Sequence, residues 1–172
     1  MTKYTTLNDA LEVLSSTKKY TPVKTNKYDE NERVEKIDSF YVTTATSPKS
    51  ISLLKISCDD FYFLVIDTEQ KEVVNLTNEI RCHNIDKYGK DYEKELVMHL
   101  YENYKRANQE YTERLLSFTS NGTKETTPEK NIVLTAKKLE VNKLNQELCS
   151  WSRYIQNRKN IQTSQEEKEI EQ

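Results

Sequence analysis

The side chains best suited to covalent or metal chemistry are scarce: three cysteines and two histidines in 172 residues. The only adjacent pair is Cys82-His83, which with Cys58 and His99 makes four ligands of the kind zinc accepts. Zinc sites legible in a sequence show two close pairs, and one pair is present, so no metal is expected. A cysteine nucleophile needs a lowered thiol pKa. Cys58 is followed by Asp59-Asp60, whose charges push it the other way. Cys149 lies between Leu148 and Trp151 on a helical seam and reads as core, and His99, beside Leu100, reads as a packed helix histidine. Asp59-Asp60 and Asp67 bracket the apolar run 61–66 at opposite ends, about 20 Å apart in a strand and too far for one acid–base pair. They read as turn residues, although Asp60, Asp67 and Glu69 define a third option, a divergent metal-dependent hydrolase. No catalytic residue and no cofactor is expected.

Binding is better supported than catalysis. Residues 130–159 hold seven basic and two acidic side chains, a balance of +5, while 91–118 hold four basic and six acidic, a balance of −2. Either two oppositely charged helices pack together, or the basic helix presents a surface. The surface would consist of Trp151, Arg153, Tyr154, Arg158 and Lys159, with Lys137 and Lys138 further along. A protein partner is the first expectation and nucleic acid the alternative. The whole chain carries a net charge of only −2 and so provides no field to gather a polyanion. Eleven tyrosines add amphipathic contact area of the sort interfaces use.

Glycine sets a further bound. The chain has two, Gly89 and Gly122. Dinucleotide-binding and phosphate-cradling loops, and the nucleophile elbow, need two or three glycines within a few residues of one another, and these two lie 33 positions apart. Both glycines fall beside helices and serve as punctuation. Any ligand must therefore be gripped by side chains on a helix or sheet surface, which favours a macromolecule. No run of 18 apolar residues exists, so no membrane span is expected, and the first residues have no apolar leader region. The odd number of cysteines without C-x-x-C spacing fits a reducing, cytoplasmic setting with free thiols. Abundant Lys, Asn, Ile and Tyr resemble chains from A+T-rich phages and plasmids, hence the expectation of a phage- or mobile-element-encoded accessory or inhibitor protein.

The elements that must position these residues follow from periodicity. Leu7, Ala10, Leu11 and Leu14 mark a first helix over 6–16, with Thr6 or Asn8 as its cap. Residues 17–38 read as mostly irregular, with a charged helical turn ending near Ile37. Residues 40–46, 51–56, 61–66 and 73–76 are strand-like, and loops of two to five residues imply an antiparallel meander. Since 61–66 is apolar at every position, that strand is expected to be central with both faces covered. One face would pack on the helical hairpin, and the other on the first helix or on a second copy, which makes a homodimer a candidate. Cys82-His83 falls in a loop. Tyr92, Leu96, Leu100, Tyr104, Ala107, Tyr111, Leu115 and Phe118 then define a long helix ended by Ser120-Asn121-Gly122. Thr127-Pro128 opens another, with Ile132, Ala136, Leu139, Leu144, Leu148, Trp151 and Ile155 on its seam. The fold class is α+β: short N-terminal helix, three- or four-stranded meander, long antiparallel helical hairpin. It forms a single domain over 1–162, with 1–90 and 91–162 as its two halves, followed by a polar, disordered tail over 163–172.

Overall fold

The computed structural model describes residues 1–23, 29, 31–35, 38–45, 49–119 and 128–170. The expected Ser47-Pro48 stop, the turn at Asn121-Gly122, the Thr127 cap and the helical turn near Ile37 lie outside these. The chain divides into two units, Met1–Tyr92 and Glu93–Gln172.

The first unit opens with α1 (Leu7–Ser16), which starts where the sequence provides a reciprocal cap. Asp9 N donates to Thr6 Oγ1 and Thr6 N donates to Asp9 Oδ2, satisfying two of the donors a helix N-terminus leaves open. Five strands follow: β1 (Tyr20–Pro22), β2 (Asp38–Thr44), β3 (Ile51–Cys58), β4 (Phe63–Asp67) and β5 (Glu72–Asn75). Their spatial order is their chain order, every pair antiparallel. The meander thus has five strands; the addition is β1, inside the stretch expected to be irregular, where buried Tyr20 anchors a three-residue edge.

One sheet face is filled. Phe40, Val42, Leu54, Ile56, Phe63 and Val65 point inward and pack with Leu7, Ala10, Val13 and Leu14 of α1 and with Leu76 and Ile80. Each such side chain contributes roughly 1.5–3 kcal/mol by leaving water. The helices on this face are α1 and α2 (Thr77–Tyr88). The latter replaces the loop expected around Cys82-His83. Its buried turn carries Arg81 and Asn84 beside Ile80 and Ile85, so an apolar count does not register it. Arg81 Nε donates to Phe61 O at 2.8 Å with its guanidinium 5.1 Å from the Tyr62 ring centre, and Asn84 Nδ2 donates to Thr5 Oγ1 at 2.9 Å. Gly89 closes α2 at φ 68°, a backbone angle that L side chains rarely adopt, and its N–H caps Ile85 O.

The expectation for the strand within 61–66 is corrected. Phe61 and Tyr62 belong to the preceding turn, and β4 lies next to the edge strand β5 with alternating burial. Its outward residues Leu64 and Ile66 are 36% and 38% exposed. The first helix does not supply the second cover, since it packs on the inner face.

The second unit is a hairpin of α3 (Lys90–Thr119, its first turn still in the first unit) and α4 (Pro128–Ile170). Lys137 Nζ lies 3.1 Å from Glu110 Oε2 and Lys159 Nζ 3.9 Å from Glu93 Oε2, so sequence rises along one helix as it falls along the other. Leu96, Leu100 and Ala107 are buried on α3, Val141 and Ile155 on α4. The α4 seam runs through Leu144, Leu148 and Trp151 as expected, but Ile132 and Leu139 are 70% and 64% exposed and Ala136 is exposed as well. They form a separate stripe on another face of the helix. Cys149, expected in the core, is exposed. Helix α4 continues to Ile170, through the polar stretch expected to fray.

Candidate functional site

The expected binding residues on α4 are only partly brought together. Trp151 and Tyr154 stack edge to face with ring centres 5.4 Å apart, and Arg158 Cζ lies 5.7 Å from the Tyr154 ring centre. These three are half-buried, while Arg153 and Lys138 are exposed. Lys137 and Lys159 face acids of α3, and Lys137 also lies 3.6 Å from Glu140 Oε2. Packing between oppositely charged helices thus takes up part of the basic surplus.

The expected metal and acid sets separate. Cys58 ends β3 in the core, and burial, reinforced by Asp59 and Asp60, pushes its thiol up, away from nucleophilicity. Asp59 Oδ1 accepts Phe61 N and Tyr62 N, both at 2.7 Å, shaping the β3–β4 turn. The Asp60 carboxylate accepts three successive amides, from Lys3, Tyr4 and Thr5, at 2.7–2.9 Å, and holds the N-terminal segment. Asp67 Oδ1 accepts Glu69 N and Gln70 N, while Glu69 Oε2 accepts the Ser52 hydroxyl. These acids hold loops, as turn aspartates do.

The sequence gives little sign of a polar cluster between α1 and α2. Asp9 is fully buried. Its Oδ1 accepts His83 Nε2 at 2.9 Å and Lys87 Nζ at 2.7 Å; its Oδ2 accepts Thr6 N and the Tyr88 hydroxyl. Burial alone would raise this carboxyl, but hydrogen bonds from His83, Lys87, Thr6 and Tyr88 outweigh it and hold it well below the usual carboxylate range. Asp9, Glu12 and His83 also bring one ligand atom each within 4.8 Å of one another. A cation there would have to displace the Lys87 ammonium and the proton His83 shares with Asp9, because both Asp9 oxygens are already doubly engaged. The cluster therefore acts as a lock between two helices.

The remaining feature is the outer sheet face. Its outward positions are Thr21 on β1, Ser39, Tyr41 and Thr43 on β2, and Ile51, Leu53, Lys55 and Ser57 on β3. Leu64 and Ile66 on β4 and Val73 and Asn75 on β5 complete it. Tyr41, Ile51, Leu53, Leu64, Ile66 and Val73 are all exposed. The register relates them: Tyr41 opposes Leu53, Ile66 opposes Val73, and the two pairs meet on the diagonal from Leu53 to Ile66, beside Lys55. Lys55 is the single charged residue among these outward positions, and no ion-pair partner holds it among the described residues. Six large apolar side chains on one flat face form the kind of contiguous patch that marks an interaction surface. The signal for this face was present in the two-sided hydrophobicity of 61–66. No family profile, no curated protein and no solved structure matches the chain.

Proposed function

We propose that the protein is a non-enzymatic binding module that acts by docking a protein partner on the outer face of its sheet. The observation that carries this is the exposed apolar face from Tyr41 to Val73, with one lysine that has no ion-pair partner among the described residues and no acidic residue among its outward positions. An apolar sheet face is normally closed by a second layer, and the inner face already has its layer in α1 and α2. The partner offers a matching apolar surface with a negative charge for Lys55. Size, composition and the absence of glycine-rich ligand loops support a cytoplasmic accessory or inhibitor protein of a phage or mobile element. Among the described residues no helix is long and apolar enough to cross a membrane.

The test is a photo-crosslinking residue placed at Leu53, and separately at Arg153, in the source cell. The reading expects a stoichiometric protein adduct from position 53 that disappears when Ile66→Ser is added. Adducts only from position 153, or none, overturn it.

A further inference from the structure

The register of the sheet says what shape of partner the face accepts. Strands are about 4.8 Å apart and residues about 3.4 Å along a strand. On that grid Ile51 and Tyr41 lie at one corner, Leu53 and Ile66 in the middle, and Leu64 and Val73 at the opposite corner. The apolar side chains make an oblique band about 20 Å long and roughly 10 Å wide. Neutral polar residues bound it, with Thr43 and Thr21 beyond its Ile51–Tyr41 end, Asn75 beyond its Leu64–Val73 end, and Ser39 and Ser57 along one side. Lys55 lies on the Ser39–Ser57 edge, directly opposite Ser39 and Ile66.

An α-helix is about 10 Å across and rises ~1.5 Å per residue, so the band seats one helix of about 13 residues. A second copy of this face fits poorly. It would bring a second Lys55 and, among its outward positions, no acidic residue, so neither lysine would gain a partner.

We infer that the occupant is an amphipathic helix of three to four turns with an apolar stripe for the Tyr41–Val73 band and an acidic residue on the flank facing Lys55. This rests on the protein-binding reading above and names its partner element. An interface of this size belongs with the small, transient class.

The test is a displayed library of helix-biased peptides of about 15 residues, selected against the full-length chain and against Lys55→Glu. Enriched peptides are expected to carry apolar residues at i, i+4, i+7 and i+11 with Asp or Glu on one flank. Selection on Lys55→Glu exchanges that flank for Lys or Arg. Leu53→Ser and Ile66→Ser, each checked for an unchanged circular dichroism spectrum, weaken binding at least tenfold. Enriched peptides with a two-residue apolar period, still sensitive to Leu53→Ser, overturn the helix and leave the protein-binding reading standing. Peptides indifferent to both serine variants overturn both readings. So does a dimer in sedimentation equilibrium that both variants dissociate, because the face then belongs to a second copy.

Discussion

Replacing Asp9 by Asn tests whether the lock between α1 and α2 holds the first unit together. Asparagine keeps the volume but removes the charge, and it turns an amide toward groups that are themselves donors. Breaking a buried, hydrogen-bonded charge pair costs about 3–5 kcal/mol. His83 and Lys87 side chains are 22% and 44% exposed, so water repays part of that, and the expected loss is about 2–4 kcal/mol. The buried Cys58 thiol reports opening of this unit, whereas the single tryptophan, Trp151, reports the other. Alkylation of Cys58, resolved by mass spectrometry, should accelerate about 30- to 1,000-fold in Asp9→Asn, at 1.4 kcal/mol per factor of ten. The pH arm has a definite sign. The Asp9 carboxyl is lowered in the folded chain, so its contribution is complete above the unfolded carboxylate value, about 3.9, and fades as pH falls below it. The gap between wild type and Asp9→Asn therefore narrows in acid. A loss under about 0.5 kcal/mol, the scatter of ordinary surface substitutions, or a gap independent of pH, refutes the reasoning.

Asp60→Ala removes the shared acceptor of three amides; hydrogen exchange at Lys3, Tyr4 and Thr5 should rise at least tenfold, and unchanged protection would show that the carboxylate is dispensable. Native alkylation should proceed in the order Cys149, Cys82, Cys58, following exposure and the raised Cys58 thiol, as peptide mass spectrometry can check. In the hairpin, Val141→Ala and Ile155→Ala should each cost about 1–3 kcal/mol by Trp151 fluorescence, and Ile132→Ala and Leu139→Ala under about 0.5; equal costs would restore the seam expected from sequence. Leu64→Ser with Ile66→Ser should lower binding of the dye ANS and leave the melting temperature within a few degrees, whereas a collapse in stability would mean the outer face is part of the core.

How much was legible depended on whether burial and hydrophobicity coincided. They coincide in α1, on much of α3 and on the inner face of the sheet, where Phe40, Val42, Leu54, Ile56, Phe63 and Val65 are buried, and those elements stand close to where periodicity puts them. They part company in α2, where Arg81 and Asn84 take buried positions, so the element that completes the core left almost no trace. In α4 two apolar stripes compete, one through Ile132, Ala136 and Leu139 and one from Val141 to Ile155. A single chain read alone cannot say which of them faces α3. The Asp9 lock had one local clue, the Thr6-to-Asp9 spacing of a reciprocal cap. Its other half, His83, lies 74 residues away, and no pattern rule connects them. The outer face was visible as hydrophobicity but read as cover, because an apolar strand looks the same whether its second face is buried or waiting.

The plain chain-order topology of the sheet also has a consequence during synthesis. Each hairpin can close as soon as its second strand emerges, since every strand pairs only with a sequence neighbour. The polar lock between α1 and α2 cannot close on that schedule. The ammonium that meets Asp9 belongs to Lys87, 78 residues later, which at 5–20 residues per second means a wait of about 4–16 s. The sheet itself is complete only at Asn75, so its inner face waits for the rest of α2 over the last 12 of those residues, about 0.6–2.4 s at the same rate.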